Sequence, residues 1–125
     1  MTATQTAAST STAITLVSAN DLAHHTAAGH VDETWNALVD AYFTGEMIPG
    51  SIRVPVNEVG REIERRAIPR DRTIAVYCSG PTCPNSRQAA EKLAAFGFTK
   101  VLLFEGGLEE WKASGRETVQ LQSAE

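Results

Sequence analysis

The chain has 125 residues, 42% of them hydrophobic and 21% charged, which fits one soluble globular domain large enough to bury a single core. Fifteen Asp and Glu against eleven Lys and Arg leave a net charge of −4, which argues against nucleic acid or an anionic membrane surface as a partner. No apolar run approaches the length of a membrane span. Two cysteines and no export signal point to a reducing compartment, cytoplasmic by default, and to reactive or buried thiols rather than a disulfide scaffold.

In chain order, residues 1–13 are uncharged and rich in Ala, Thr and Ser, and are expected to form a disordered tail. Residues 14–17 read as a short strand. Ser18 with Asp21 three residues on forms a capping box that opens a helix stopping near Gly29. Residues 37–41, Ala-Leu-Val-Asp-Ala, read as a second, buried strand, and residues 42–47 as irregular. Ile48-Pro49-Gly50-Ser51 is a turn leading into a third strand at residues 52–54. Val56, Val59, Ile63 and Ala67 recur at helical spacing, with Glu58, Arg61, Glu62, Glu64 and Arg65 opposite. Strands follow at residues 73–77 and 100–104, with a helix between them from Ser86 to Gly97. Gly106-Gly107 turns the chain into a last short helix ended by Gly115, and residues 117–125 form a tail without clear order. Alternating strands and helices with short turns imply an α/β fold, a parallel sheet covered by helices on both faces. Ligands bind such sheets at the carboxyl ends of strands.

Cys78 lies at such an end. It follows Thr73-Ile74-Ala75-Val76-Tyr77 and precedes a loop made tight by Gly80, Pro81 and Pro84. Ser86 reads as the N-cap of the helix behind the loop. Free amides and the helix dipole there favour a thiolate, so the Cys78 thiol pKa is expected to fall. The amides of Ser79, Gly80, Thr82, Cys83 and Asn85 are candidates for an anion cradle, whereas the prolines have none to offer. Two roles stand open for Cys83: a resolving thiol for Cys78, or packing beneath the loop. Arg87, in the first turn of the helix, is the nearest cation in sequence, either a site residue or an ordinary surface arginine. Asp40 either orients the loop or is structural. His24, His25 and His30 lack ligand spacing, and no metal site is assigned.

Several separate segments together resemble the rhodanese family of sulfurtransferases. The strand–Cys78–loop–helix unit is similar to that family's active-site loop. Val101-Leu102-Leu103-Phe104-Glu105-Gly106-Gly107-Leu108-Glu109-Glu110-Trp111 resembles its C-terminal signature. Ile48-Pro49-Gly50-Ser51-Ile52 resembles the segment entering its third strand, and Leu38-Val39-Asp40 the strand that ends in aspartate. The resemblance implies a single domain at residues 14–116 with a five-stranded parallel sheet. It also implies that Cys78 accepts a sulfane sulfur as a persulfide and passes it on. The donor is a persulfide, polysulfide or thiosulfate, the acceptor a thiol or cyanide-like nucleophile, and no cofactor is needed.

The chain departs from the family at informative places. Residues 79–85 carry no charge where members often have Arg or Lys, and the loop is about two residues longer. Asp40-Ala41-Tyr42 replaces Asp-x-Arg, Met47 replaces the His before Ile-Pro-Gly, and the segment between them is shorter. Two alternatives follow. One is phosphatase or arsenate reductase chemistry, since cell-cycle phosphatases share this fold; phosphatases need an arginine six residues after the nucleophile, where Pro84 stands. The other is a non-catalytic regulatory module toggling a Cys78–Cys83 disulfide.

Overall fold

The computed structural model describes residues 13–121, so the expected tail at residues 1–13 lies almost wholly outside the described residues. Its centre is a five-stranded parallel sheet: β1 (Ile14–Leu16), β2 (Glu33–Asn36), β4 (Ile52–Arg53), β5 (Ile74–Tyr77) and β6 (Val101–Phe104), in the order β1-β6-β5-β2-β4. A separate antiparallel pair joins β3 (Glu46–Met47) to β7 (Val119–Gln120). Among the described residues the sheet is joined by the helices α1 (Ala19–Ala27), α2 (Val59–Arg66), α3 (Asn85–Ala95) and α4 (Gly107–Ala113).

Strand β5 shows why the sheet is covered on both faces. All four of its residues are buried, and successive side chains point to opposite sides. Ile74 and Val76 join Val59, Ile63, Ala89, Ala90 and Leu93 of α2 and α3 in one core cluster. Ala75 and Tyr77 join Leu22, Phe104, Leu108 and Trp111 in the other, against α1 and α4. The capping box of α1 forms as the sequence implies, with the Ser18 hydroxyl accepting from the Asp21 amide and the Asp21 carboxylate from the Ser18 amide.

Three elements differ from the sequence reading. The second strand is Glu33–Asn36, not residues 37–41, and Asp40–Tyr42 is a 3-10 turn. Ala37 and Leu38 are buried, but in the segment beyond the strand's end. The strand itself is disguised by Glu33 and Asn36, whose polarity is met locally. Glu33 accepts from Arg66 and from the Trp35 indole, while Asn36 accepts from the Leu38 amide and donates toward Met47. Secondly, the segment after Glu117 is not orderless: β7 pairs with β3, a long-range contact without a local signal. Thirdly, Ala67 is not on the buried face of its helix. It caps α2 in the left-handed region at φ 51°, exposed. That conformation costs an L residue about 1–2 kcal/mol. Ala67→Gly is therefore expected to stabilise the fold by about 1 kcal/mol, read as a higher urea midpoint at unchanged slope; an equal or lower midpoint contradicts the strain.

Candidate functional site

The site forms where β5 ends. Cys78 follows Tyr77 directly and is wholly buried. Its carbonyl accepts from the Leu108 amide (3.0 Å) and that of Ser79 from the Glu109 amide (2.9 Å), so the start of α4 ties down the start of the loop. Gly107 makes this approach possible. It sits at φ 58°, and a Cβ there would lie 2.2 Å from the Cys78 carbonyl oxygen. The Gly-Gly turn is thus a packing requirement of the Cys78 loop.

The loop then turns on itself, with the Cys83 amide donating to the Gly80 carbonyl (3.1 Å). The Cys78 thiol points to the Cys83 carbonyl (3.4 Å) and lies 3.9 Å from that of Gly80. The expected amide cradle is redistributed. The Cys83 amide is spent on the turn, whereas the Ser79 and Asn85 amides favour charge on Cys83 and the Ser86 amide favours it on Cys78. Gly80 and Thr82 direct their amides to no acceptor among the described residues. Asn85 also works through its side chain, accepting from the Val39 amide (3.2 Å) and donating to Gln88 (3.3 Å), which joins the loop's end to the segment after β2.

The charge state differs from the sequence expectation. Burial pushes the Cys78 thiol up, and the adjoining Cys83 adds to this, outweighing the hydroxyl and amide of Ser86 that favour the thiolate. Cys83 moves down. It is half-buried, and its own burial is outweighed by a hydrogen bond from Cys78, the amides of Asn85 and Ser79, and the Ser79 hydroxyl. The two thiols are shifted in opposite directions, Cys78 toward its neutral form and Cys83 toward its thiolate. The helix start does favour a thiolate, but the complete desolvation of Cys78 directs that benefit to its neighbour.

Ser86 has another place than expected. Helix α3 begins at Asn85 with Pro84 as its N-cap, so Ser86 is inside the first turn. It is fully buried, and its hydroxyl is the one buried side-chain oxygen or nitrogen without a hydrogen-bond partner among the described residues. The sequence carried a signal for this: Ser86, Ala89, Ala90 and Leu93 form one buried helical stripe. A hydroxyl unpaired against a protonated thiol becomes useful when Cys78 ionises. Ser86→Ala is expected to leave stability unchanged or slightly raised, since an unsatisfied buried group is removed. It should lower kcat/KM for sulfur transfer about tenfold and move its pH midpoint upward. An unaltered pH profile rules out contact between this hydroxyl and the ionised sulfur.

Asp40 and Arg87 do not join the loop. Asp40 is exposed and pairs with Arg53 (2.6 Å). Arg53, which the sequence reading passed over, is the organising cation of this region: it donates to the carbonyls of Leu38 (2.6 Å) and Asn36 (3.2 Å) and lies over the Phe43 ring. Arg87 is exposed and ion-paired with Glu105. Both arginines near the strand ends are thus committed to carboxylates. Beside the loop, a cleft of about 620 Å³ is lined by Pro81, Glu105, Glu109 and Glu110 among others. Tyr77, the last residue of β5, is fixed by its hydroxyl, which accepts from the Ile48 amide (2.9 Å) and bonds Ser51 (2.6 Å).

Comparison with known proteins follows from this geometry. Residues 18–114 match the family model described as Rhodanese-like domain. Among solved structures, the rhodanese-like domain of the Anabaena sp. Alr3790 protein is similar at TM-score 0.72 and 23% identity, over 85% of this chain and 79% of that one. The BH2092 protein of Bacillus halodurans is similar at TM-score 0.69 and 26% identity, over 83% of this chain and 75% of that one. A thiosulfate sulfurtransferase from Pseudomonas aeruginosa aligns at TM-score 0.69 and 19% identity, over 86% of this chain and 20% of that one. At that identity the last likeness concerns the fold alone. No curated protein sequence matches the chain.

Proposed function

The chain belongs to the rhodanese-like domain family, and we propose that it is a sulfurtransferase whose carrier is a persulfide on Cys78. The observation that supports this reading best is the buried, unpartnered Ser86 hydroxyl beside a thiol at the end of β5. An inert core cysteine needs neither a polar neighbour nor a loop folded around it.

The pair of thiols sets the first step. Cys78 gives its proton to the Cys83 thiolate as its sulfur attacks the outer sulfur of the donor. The donor's S–S bond breaks and a thiolate, or sulfite in the case of thiosulfate, leaves. The Ser86 hydroxyl and amide hold the charge that develops at Cys78. An acceptor nucleophile then attacks the outer sulfur of the persulfide. The bond to Cys78 breaks, and the proton returns from Cys83.

The phosphatase alternative finds no support. Pro84 stands where the phosphoryl-clamping arginine belongs, and Arg87 is held by Glu105. The proposed function is tested by incubating the reduced protein with glutathione persulfide, removing excess donor, and mapping the product by tandem mass spectrometry. One added sulfur atom on Cys78, removed by cyanide as thiocyanate, is the expected result in the Cys83→Ala protein, where no second thiol can consume the persulfide. A protein that acquires no sulfur, or passes none to cyanide, does not perform this reaction.

A further inference from the structure

Cys83 is held in a way that packing alone does not explain. It belongs to neither core cluster and is only half-buried. The turn closed by its amide brings its backbone carbonyl to 3.4 Å from the Cys78 sulfur. Both cysteines are free, and Cys83 adjoins Cys78 closely enough to help push its thiol up. The Ser79 hydroxyl and the Ser79 and Asn85 amides favour the thiolate form of Cys83. A simple sulfur carrier has no use for a second free thiol in the same loop.

We propose that Cys83 resolves the Cys78 persulfide, giving the site a second activity as a persulfide reductase that releases hydrosulfide and leaves a Cys78–Cys83 disulfide. The inference rests on the carrier role proposed above for Cys78. After loading, the proton taken up by Cys83 passes to the outer sulfur of the persulfide, restoring the Cys83 thiolate. That thiolate attacks the Cys78 sulfur. A Cys78–Cys83 bond forms, the bond between Cys78 and the outer sulfur breaks, and the electron pair leaves with hydrosulfide. The sulfane sulfur is reduced and the two thiols are oxidised. A dithiol reductant then restores both cysteines by exchange through a mixed disulfide. With an external acceptor present, transfer competes with resolution, so the supply of acceptor decides between passing sulfur on and discharging it.

The test uses the full-length, fully reduced protein and glutathione persulfide as probe, without acceptor. Released hydrosulfide is assayed, and the protein is followed by intact and tandem mass spectrometry. The wild type is expected to lose two hydrogens, yield a cross-linked Cys78–Cys83 peptide, and release about one equivalent of hydrosulfide per chain. Cys83→Ser is expected to load more slowly, lacking the group that takes the Cys78 proton, but once loaded to keep the added sulfur on Cys78 with a lifetime at least about tenfold longer and to form no disulfide. Cys83→Ala serves as a second variant, since serine retains a polar group at the site. Equal persulfide lifetimes in the wild type and both variants, with no cross-link, overturn the resolving role while leaving Cys78 as carrier. Absence of sulfur on Cys78 in every form overturns the carrier role, and the resolving role with it.

Discussion

Cys78→Ser is expected to reduce kcat/KM for sulfur transfer to cyanide by a factor on the order of 10³ or more, because the covalent intermediate has no sulfur to form on. Circular dichroism and the melting temperature should change little. Serine is smaller than cysteine, and its hydroxyl finds the Cys83 carbonyl that already accepts from the thiol at 3.4 Å. The loop is held independently of the side chain, through the Cys78 and Ser79 carbonyls and the start of α4. Cys83 is not an equivalent substitute, since the hydroxyl and amide of Ser86 favour the thiolate of Cys78. Transfer within a few-fold of wild type would show that the sulfur travels by another route.

The second large effect concerns the donor. Persulfides are expected to be used with at least about tenfold higher kcat/KM than thiosulfate, whose Michaelis constant should be millimolar or above. A charge-assisted contact is worth about 1.5–3 kcal/mol, and a dianion finds none to receive here. The loop is uncharged, Arg87 is bound to Glu105 and Arg53 to Asp40, and Glu105, Glu109 and Glu110 line the neighbouring cleft. Arg87→Ala should therefore alter thiosulfate use by less than about twofold, a pair this exposed contributing little. Glu105→Gln should improve thiosulfate use several-fold while leaving persulfide use unchanged, since it removes a carboxylate and releases Arg87. A wild-type preference for thiosulfate that disappears in Arg87→Ala would overturn this account and make Arg87 part of the site.

Family and fold were legible from local signals. The strand before Cys78, the capping box at Ser18, the Ile48-Pro49-Gly50-Ser51 turn and the Gly106-Gly107 turn each have short-range causes in propensity, capping or backbone freedom. Their order along the chain implied the parallel sheet and the loop at the end of β5. Glu33–Asn36 was misread because its polar ends resemble a loop until Arg66, Trp35 and Met47 are seen to satisfy them. Ala37 and Leu38, buried beyond the strand, then offered a better-looking pattern. The pairing of Glu46–Met47 with Val119–Gln120 left no trace, since two-residue strands far apart in sequence have no periodicity to detect.

By itself the amino-acid sequence determined the family, the sheet and the position of Cys78, all of which follow from the order of short-range signals. Tertiary structure alone decided how that cysteine is charged and what surrounds it. Desolvation depends on every element packed around a group, and ion pairing on residues that the fold brings together. The helix start behind Cys78 implied a lowered thiol pKa there, yet burial pushes Cys78 up while its neighbour Cys83 moves down. Arg87 looked available until Glu105 on the next strand's end claimed it. Ser86 looked like a cap until the helix began at Asn85, with Pro84 as the cap, and left the Ser86 hydroxyl buried without a partner.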